Sequence, residues 1–460
     1  MKVESDLQQA AAYADSVRNA YESDLKTIVE IPSVSADPAH KKDIEKLAKV
    51  AADLLKQYGA TAEIIPTAGN PVVCGEFSAG ANLPTVLVYN HLDVQPADQS
   101  EWKTPPFSMT KEGDIYRGRG STDDKGPALA VLYAARYAHD HKVPINIKIV
   151  WELEEEIGSP SFEEFVRKNK SKLAADSVVV SDTIWVSRER PAIAYGLRGL
   201  QGASVKLRTG NKDVHSGTTG GLARNPIGEI CQLISACYDA KTGKVNVPGF
   251  YDGVRKPSKE EIEHFKASGF SLADFQKANE LTSLRTSNAE EAFQKIWAEP
   301  TFEVHGIVGG YTGPGLKTIV PHEAEAKVSM RLVPDQDPDK VFNAFAAFVR
   351  DKLPDAQVVK SGTLKPYLGE YNDLYNQAAG KAMKTAFGKS PAFIREGGSI
   401  GAVVSMHSIL DAPIVLLGLS LPEHGYHAIN ENFDWGQARG GMRVFIEYFR
   451  ELSKVPTRAK

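Results

Sequence analysis

The sequence predicts an α/β protein, a mixed sheet with helices on both faces, into which a smaller α+β domain is inserted. Strands and helices alternate over the first part of the chain, which is typical of an α/β sheet. After Gly199 the helices are grouped apart from the strands, and after about residue 367 the first pattern resumes. We therefore predict one domain over residues 1–198 and 368–460, with an inserted domain over residues 199–367. A chain of 460 residues is also too long for one compact core.

Hydrophobic periodicity predicts each element of the first part. Apolar residues at helical spacing indicate two amphipathic helices near the start, and Gly59 is a stop signal for the second. In chain order we expect helices at 4–30 and 40–58, strands at 62–66, 72–77 and 84–90, a helix from about 124 to 140, a strand at Ile145–Leu153, a helix near 160–172 and a fully apolar strand at Val178–Val180.

The rest of the chain is predicted in the same way. The inserted domain is expected to contain a strand at 200–208, helices at 223–239, 258–280 and 288–297, strands at 301–308 and 323–334, and a helix near 338–353. The last part is expected to contain a helix at 371–387, a strand at 391–394, a helix at 399–409, a strand at 412–417 and a final helix at 433–453.

Composition excludes several classes of protein. With 54 basic and 58 acidic residues the net charge is −4, which argues against nucleic-acid binding. No apolar run reaches the roughly 18 residues that span a membrane, and the segment from Met1 to Asp6 lacks the apolar core of a signal peptide. We therefore expect a cytoplasmic protein. Three cysteines, Cys74, Cys231 and Cys237, are no disulfide framework, and a buried apolar role is expected for them.

Histidine and acidic residues follow the predicted strands. His91 and Asp93 come after an apolar run, Glu155 and Glu156 follow the next strand, and Asp182 follows Val178–Val180. In open α/β sheets ligands bind at the carboxyl ends of the strands. Imidazoles and carboxylates suit divalent metal ions, and two ions about 3.5–4 Å apart can activate a water and hold a carbonyl oxygen. The pattern indicates a two-metal hydrolase.

Each motif also has a simpler interpretation. A single histidine at a strand end is more often a polar edge residue, and an acidic run such as 152–156 is often a solvated surface. However, carboxylates crowded at a sheet edge need cations, and metals supply them. One glutamate of the Glu155-Glu156 pair can then bind metal while its neighbour takes a proton from water. Asp93, two residues after His91, is suited to orient a metal-bound imidazole.

Two other motifs carry little weight. Residues 397–401 match a Gly-x-Ser-x-Gly nucleophile elbow, and Asp411 and His427 follow Ser399 in the right order. Only 28 residues separate Ser399 from His427, and this triad would leave the acidic motifs unexplained. Residues 310–318 resemble a phosphate loop, but Leu316 breaks its Gly-Lys spacing.

Taken together, the motifs resemble those of the two-metal metallopeptidase family of carnosinases, cytosolic nonspecific dipeptidases, aminoacylase and glutamate carboxypeptidases. The resemblance covers nearly the whole chain, and the stretch around His215 favours the carnosinase and dipeptidase branch. The matching stretches are Gly118–Gly126, Glu155–Ser159, Tyr195–Gly199, Asp213–Gly217, Ser329–Pro334 and Glu396–Ile400.

The resemblance implies a role for each matching residue. Asp123 would bridge two divalent ions, His91 and Asp182 would complete one site, and Glu156 and His427 the other. Glu155 would be the general base and Asp93 the partner of His91. The substrate-binding residues would be His215, Thr318, Arg331 and Ser399, of which the last three bind the peptide's terminal carboxylate. The peptide bond between Asp123 and Asp124 would be cis, and His424 has no implied role beyond a structural one.

The implied reaction is hydrolysis of a dipeptide, or of the C-terminal residue of a short peptide, by a hydroxide that bridges the metals. The larger domain would be catalytic, and the inserted one a lid and dimerisation domain whose His215 reaches the partner's site in a homodimer. Three ligand carboxylates and one hydroxide would balance the charge of two divalent ions. Zinc is expected, with Mn and Co also suited to these ligands. An N-acyl-amino-acid deacylase remains an alternative, because its substrate presents a carboxylate to the same pocket.

Overall fold

The computed structural model describes residues 2–458. Its helices are α1 (Lys2–Ser16), α2 (Arg18–Val29), α3 (Lys41–Gln57), α4 (Gly126–Asp140), α5 (Phe162–Lys168), α6 (Lys170–Leu173), α7 (Ser216–Thr219), α8 (Pro226–Cys237), α9 (Lys259–Ala267), α10 (Leu272–Ala278), α11 (Ala289–Trp297), α12 (Pro338–Lys352), α13 (Leu374–Phe387), α14 (Gly401–Leu410) and α15 (Trp435–Leu452).

The strands lie between these helices, in places several in succession. They are β1 (Thr61–Ile65), β2 (Val72–Phe77), β3 (Thr85–His91), β4 (Thr110–Glu112), β5 (Ile115–Arg117), β6 (Asn146–Glu152), β7 (Ser177–Val180), β8 (Ala192–Leu197), β9 (Gly199–Arg208), β10 (Val214–His215), β11 (Thr301–Gly309), β12 (Ile319–Val320), β13 (Glu323–Leu332), β14 (Gln357–Leu364), β15 (Tyr367–Leu368), β16 (Ala392–Glu396), β17 (Ile414–Leu416) and β18 (Asn432–Asp434).

The largest sheet has nine strands in the order β1-β2-β6-β3-β7-β17-β8-β15, with β16 paired to β8. Its central strands β6, β3, β7 and β17 are parallel, whereas β1, β2 and β15 are antiparallel to their neighbours. Side chains of β3 point alternately to the two faces, as a strand requires. Val86 and Val88 pack in the core under α4 and α15, and Leu87 and Tyr89 pack in the core under α5 and α14. The predicted mixed sheet with helices on both faces is confirmed.

A second, antiparallel sheet has its own core. Its order is β11-β13-β9-β14, and α8 and α12 pack on it through buried residues such as Leu207, Phe302, Met330 and Phe345. The chain leaves the large sheet after β8 and returns to it at β15, so the second sheet is an insertion. The limits 1–198, 199–367 and 368–460 stay a prediction, and residues 1 and 459–460 of those ranges lie outside the described residues.

Some predicted elements differ in detail. The expected helix at 4–30 is two helices that meet at Val17, and the one at 258–280 is interrupted at Gly269, whose φ of +70° is outside the helical region. Strands β8 and β14 were not predicted. Within residues 2–458, no helix combines the length and the hydropathy needed to cross a membrane.

Gly418 lies where β17 approaches the chain that follows Asp182, and we expect Gly418→Ala to destabilise the protein. An added Cβ would lie 2.0 Å from the backbone oxygen of Thr183, so the segment beside Asp182 has to move. Overpacking of this kind costs about 1–3 kcal/mol. The measurement is the shift in free energy of unfolding from urea denaturation. Gly306→Ala is the control, because its Cβ would meet nothing within 4 Å; equal effects of the two substitutions would contradict the prediction.

Candidate metal centre

The ends of three parallel strands form the floor of the site. Strand β3 ends at His91, β6 ends at Glu152 just before a short 3-10 helix over Glu155–Ile157, and β7 ends two residues before Asp182. Because β6, β3 and β7 are adjacent and parallel, their carboxyl ends meet at one edge of the sheet. The expectation that these residues follow strands is confirmed.

Two groups of ligand atoms share one carboxylate. His91, Asp123 and Asp182 form one group, Asp123, Glu156 and His427 form the other, and in each group the ligand atoms lie within 4.8 Å of one another. Oδ1 of Asp123 is 2.9 Å from Nε2 of His91, and its Oδ2 is 3.2 Å from Nε2 of His427. Asp123 therefore faces both groups, one oxygen to each.

Each group is completed by a contact between its histidine and a second carboxylate. Nε2 of His91 is 3.7 Å from Oδ2 of Asp182, and Nε2 of His427 is 3.0 Å from Oε2 of Glu156. His91 is fully buried, whereas the side chain of His427 is 57% exposed. One group is thus closed by the sheet and the other opens to solvent.

Asp93 organises both sides of the site. Its carboxylate accepts the backbone N–H of Glu155 at 3.1 Å and that of Glu156 at 3.0 Å. The same carboxylate lies 3.5 Å from Nδ1 of His91, which also contacts the backbone oxygen of Asp93 at 3.1 Å. One buried side chain therefore fixes the histidine and the glutamate pair relative to each other.

Carboxylates are crowded here, and their pKa values reflect it. Burial, followed by the charge of Asp123, raises the pKa of Glu156 to about 7, and burial raises that of Asp182 to about 6. Burial and the charges of Asp182 and Glu156 hold the pKa of Glu155 well above its usual range. Burial lowers the pKa of His427, but hydrogen bonds to Asp123 and Glu156 outweigh it and raise that pKa to about 11.

This donor set fits divalent cations. Imidazole nitrogens and carboxylate oxygens converge within each group, and these are ligands that Zn, Mn and Co accept. The positive charge of such ions offsets the repulsion between the carboxylates. The peptide bond between Asp123 and Asp124 is cis, as the resemblance implies.

The predicted carboxylate-binding residues fall in two places. Nη1 of Arg331 donates to Oγ of Ser399 at 2.9 Å. Thr318 directly precedes β12, beside His215 of β10, and its backbone oxygen accepts the backbone N–H of Ser216 at 3.0 Å. Within residues 2–458, no hydrogen bond or ion pair joins His215 or Thr318 to the metal groups.

Three residues of the site were missed. Gln95 donates Nε2 to Glu156 at 2.7 Å, and the hydroxyl of Tyr426 donates to Asp182 at 3.1 Å. Both lie within two residues of a predicted site residue, which is the signal that could have found them. Arg198 lies beside Arg331: burial and that neighbouring charge lower its pKa to about 10, and its Nε is buried without a hydrogen-bond partner among the described residues.

The other histidine and serine motifs are accounted for. Nε2 of His424 is 3.0 Å from Asp434, so it has the expected structural contact. His427 contacts Asp123 and Glu156, and Oγ of Ser399 contacts Arg331. The nucleophile-elbow triad of Ser399, Asp411 and His427 is therefore not supported.

Comparison with known proteins identifies the family. The model of Peptidase family M20/M25/M40 matches residues 87–451. The chain is 32% identical to human Beta-Ala-His dipeptidase over 98% of its own length and 93% of the human protein. The structure of the dipeptidase Dug1p from Saccharomyces cerevisiae superposes with a TM-score of 0.90 at 28% identity, covering 98% of this chain and 99% of that one.

A third similar structure extends the comparison to an archaeon. An M20 family metallo-carboxypeptidase from Sulfolobus solfataricus gives a TM-score of 0.87 at 32% identity, over 95% of this chain and 99% of that one. The family model alone spans well over half of the sequence. The chain therefore belongs to the Peptidase family M20/M25/M40.

Proposed function

We propose that this metallopeptidase is a two-metal dipeptidase, and the shared carboxylate of Asp123 is the observation that carries the proposal. His91, Asp123 and Asp182 would hold one ion, and Asp123, Glu156 and His427 the other. Two divalent ions held here supply Lewis acidity, because they lower the pKa of water and polarise a carbonyl oxygen. The dipeptide substrates in the names of the relatives support the same reaction for this chain.

Glu155 is proposed as the general base. It belongs to neither ligand group, yet its backbone N–H is anchored to Asp93 beside them. As water attacks the scissile carbonyl carbon, the Glu155 carboxylate takes a proton from that water. It then gives the proton to the leaving nitrogen as the C–N bond breaks, which leaves a free amine and a carboxylic acid that ionises to a carboxylate.

Arg331 and Ser399 are proposed to bind the carboxylate of the substrate's C-terminal residue. The adjoining Arg198 adds a second buried positive charge, and the two guanidiniums together favour an anion. Thr318 is proposed to complete this subsite, and His215 to donate to the oxyanion that forms on the scissile carbonyl. Both would come from the partner subunit's inserted domain, because neither contacts the metal groups of its own chain.

The position of Glu396 supports a substrate whose amino group is free and positively charged. Its Oε1 accepts the backbone N–H of Ile184 at 3.3 Å, and its Oε2 is buried without a hydrogen-bond partner among the described residues. Glu396 lines a cavity of about 680 Å³ together with Trp185, Trp297 and Tyr426. A carboxylate here suits the charged amino end of a dipeptide better than an acyl group, which favours the dipeptidase over the deacylase.

A homodimer is supported by the surface around His215. Leu222 and Leu316, on the loops that follow His215 and precede Thr318, are 92% and 90% exposed. Val308 and Tyr311, close to Leu316 in sequence, are exposed as well, and grouped exposed apolar side chains are typical of interaction surfaces. We propose that a second copy covers them and receives His215. Zinc as the metal and a cytoplasmic location also stay predictions.

Removing divalent metal is expected to abolish the hydrolysis of dipeptides, because the proposed reaction needs an ion in each ligand group to activate water and polarise the carbonyl oxygen. The experiment treats the protein with a chelator, verifies the loss by elemental analysis and then adds Zn, Mn or Co to separate samples. Each is assayed on a panel of dipeptides and the matching N-acetyl amino acids. Full activity without metal would refute the two-metal reaction, and a higher kcat/KM on the N-acetyl compounds would favour the deacylase.

Glu155→Gln is expected to lower kcat by about 10²–10⁴-fold while metal content stays near that of the unchanged protein, because the base is lost and the ligands are not. Glu156→Gln is the matched variant, one residue away, and should lose metal from the group it shares with His427. Metal content and kcat are measured for both. If Glu155→Gln lost metal and Glu156→Gln kept it, the two roles would have to be exchanged.

His215→Ala is expected to lower turnover by about 10²–10³-fold in a protein that stays dimeric and metal-loaded, because one donor to the oxyanion is lost. Mixing it with Glu155→Gln tests whether the residue acts in trans. In a mixed dimer one site combines an intact Glu155 with the partner's intact His215, so activity should return to about half per heterodimer. No recovery after confirmed subunit exchange would show that His215 does not act across the interface.

A further inference from the structure

One fully buried carboxylate, Glu431, holds the chain that leads into Asp123. Its Oε2 accepts the backbone N–H of Gly120 at 2.9 Å, and its Oε1 accepts those of Thr122 at 2.9 Å and Asp123 at 3.1 Å. Nη1 of Arg119 donates to the same carboxylate at 2.9 Å. These N–H groups lie ahead of α4, outside any strand, so without Glu431 they would be buried donors with no acceptor.

The same residue is tied to the loop that carries His427. Glu431 follows His427 by four residues, and its backbone oxygen accepts the N–H of Gly118 at 3.0 Å. Nη2 of Arg119 reaches the backbone oxygen of His427 at 3.4 Å. His427 and Asn430 have φ of +55° and +59°, values that few residues other than glycine adopt. This loop therefore keeps its shape through contacts with the Asp123 segment.

We infer that Glu431 is a positioning residue that sets Asp123 and His427 at the spacing needed for the metal group they form with Glu156. The inference rests on the proposed function in one respect, namely that this group binds a metal ion. Glu431 is itself in neither ligand group. It acts by fixing the backbone of Asp123 directly and that of His427 through Arg119.

The charge of Glu431 is part of this arrangement. Three backbone donors and a guanidinium all converge on its two oxygens, so a carboxylate, with acceptors on both, satisfies them together. An amide has one oxygen, and its NH₂ group would face donors. Arg119 offsets the negative charge that Glu431 would otherwise add beside Asp123.

The test is the affinity of Glu431→Gln for Zn, measured on the dimeric protein by competition with a chelating dye. Loss of an outer partner of this kind costs about 10–100-fold in metal affinity. We expect a loss of that size for the second ion bound, with a smaller loss for the first, because His91 and Asp182 are held by the sheet. Activity on a dipeptide should fall at limiting Zn and recover at saturating Zn, which a general loss of structure would not permit.

Glu261→Gln is the matched control. Glu261 is also a nearly buried carboxylate with four donors: it accepts from both Nε and Nη2 of Arg395, the Tyr195 hydroxyl and the Ser258 N–H. The control should lower stability without changing Zn affinity. Unchanged affinity in Glu431→Gln, or an equal loss in Glu261→Gln, would overturn the inference.

A second variant covers the case in which Glu431→Gln does not fold. Arg119→Lys keeps a positive charge beside Glu431 but cannot also reach the oxygen of His427, so Zn affinity should fall by a smaller factor; no change would overturn the inference. A failure of the proposed function can be distinguished from a failure of this inference. If the unchanged protein binds two Zn ions but hydrolyses no dipeptide, the dipeptidase proposal is wrong and the positioning role still stands or falls on the affinities.

Discussion

The carboxylate of Asp123 lies between two histidines, with Nε2 of His91 2.9 Å from one oxygen and Nε2 of His427 3.2 Å from the other. Every other part of the site is arranged around this position. Asp182 and Glu156 add a carboxylate on either side, so that buried negative charges gather within a few ångströms. Such a group is stable only if cations or protons offset it, and the raised pKa values of Glu156 and Asp182 express that need. Metal binding is a direct consequence of the crowding.

The residues that crowd around Asp123 are held in place in two different ways. His91 and Asp182 follow adjacent parallel strands of the nine-stranded sheet, so hydrogen bonds of the sheet fix their spacing. His427 lies in a loop with a left-handed backbone and reaches Asp123 from the other side. The sheet thus holds the ligand group of His91 and Asp182 in place. The group that opens to solvent contains His427, whose loop is held by side-chain contacts. The residues of the inserted domain that are proposed to bind substrate are further removed, on a different sheet with a separate core.

Much of the fold could be predicted from the sequence, because it follows local patterns, and the candidate ligands His91, Glu156 and Asp182 were indicated by their positions after strands. The proposed roles of Asp123 and His427 came from the family resemblance. The β-branched runs of β3 and β7 end at His91 and just before Asp182, so strand ends and ligands were found together. Strand β8 was missed because Ala192–Leu197 is buried on both faces and has no alternation, and β14 because six of its eight residues are exposed. Arg198 and Glu431 could not be predicted, since their contacts join segments distant in sequence. The motif around Arg198 was noted, but nothing local indicates that its charge faces Arg331.

The pair of arginines beside Ser399 has a consequence for turnover. In the proposed function, Arg198 and Arg331 bind a group that the reaction does not alter, because the terminal carboxylate of the substrate is also the carboxylate of the released amino acid. The buried guanidinium of Arg198 and the partly buried one of Arg331 repel each other, and either anion stabilises the pair. Binding strength gained at this subsite is therefore retained by the product, and it slows product departure as much as it favours substrate capture. If the proposed subsite is correct, we expect the free amino acid to be a competitive inhibitor and its release to limit the rate.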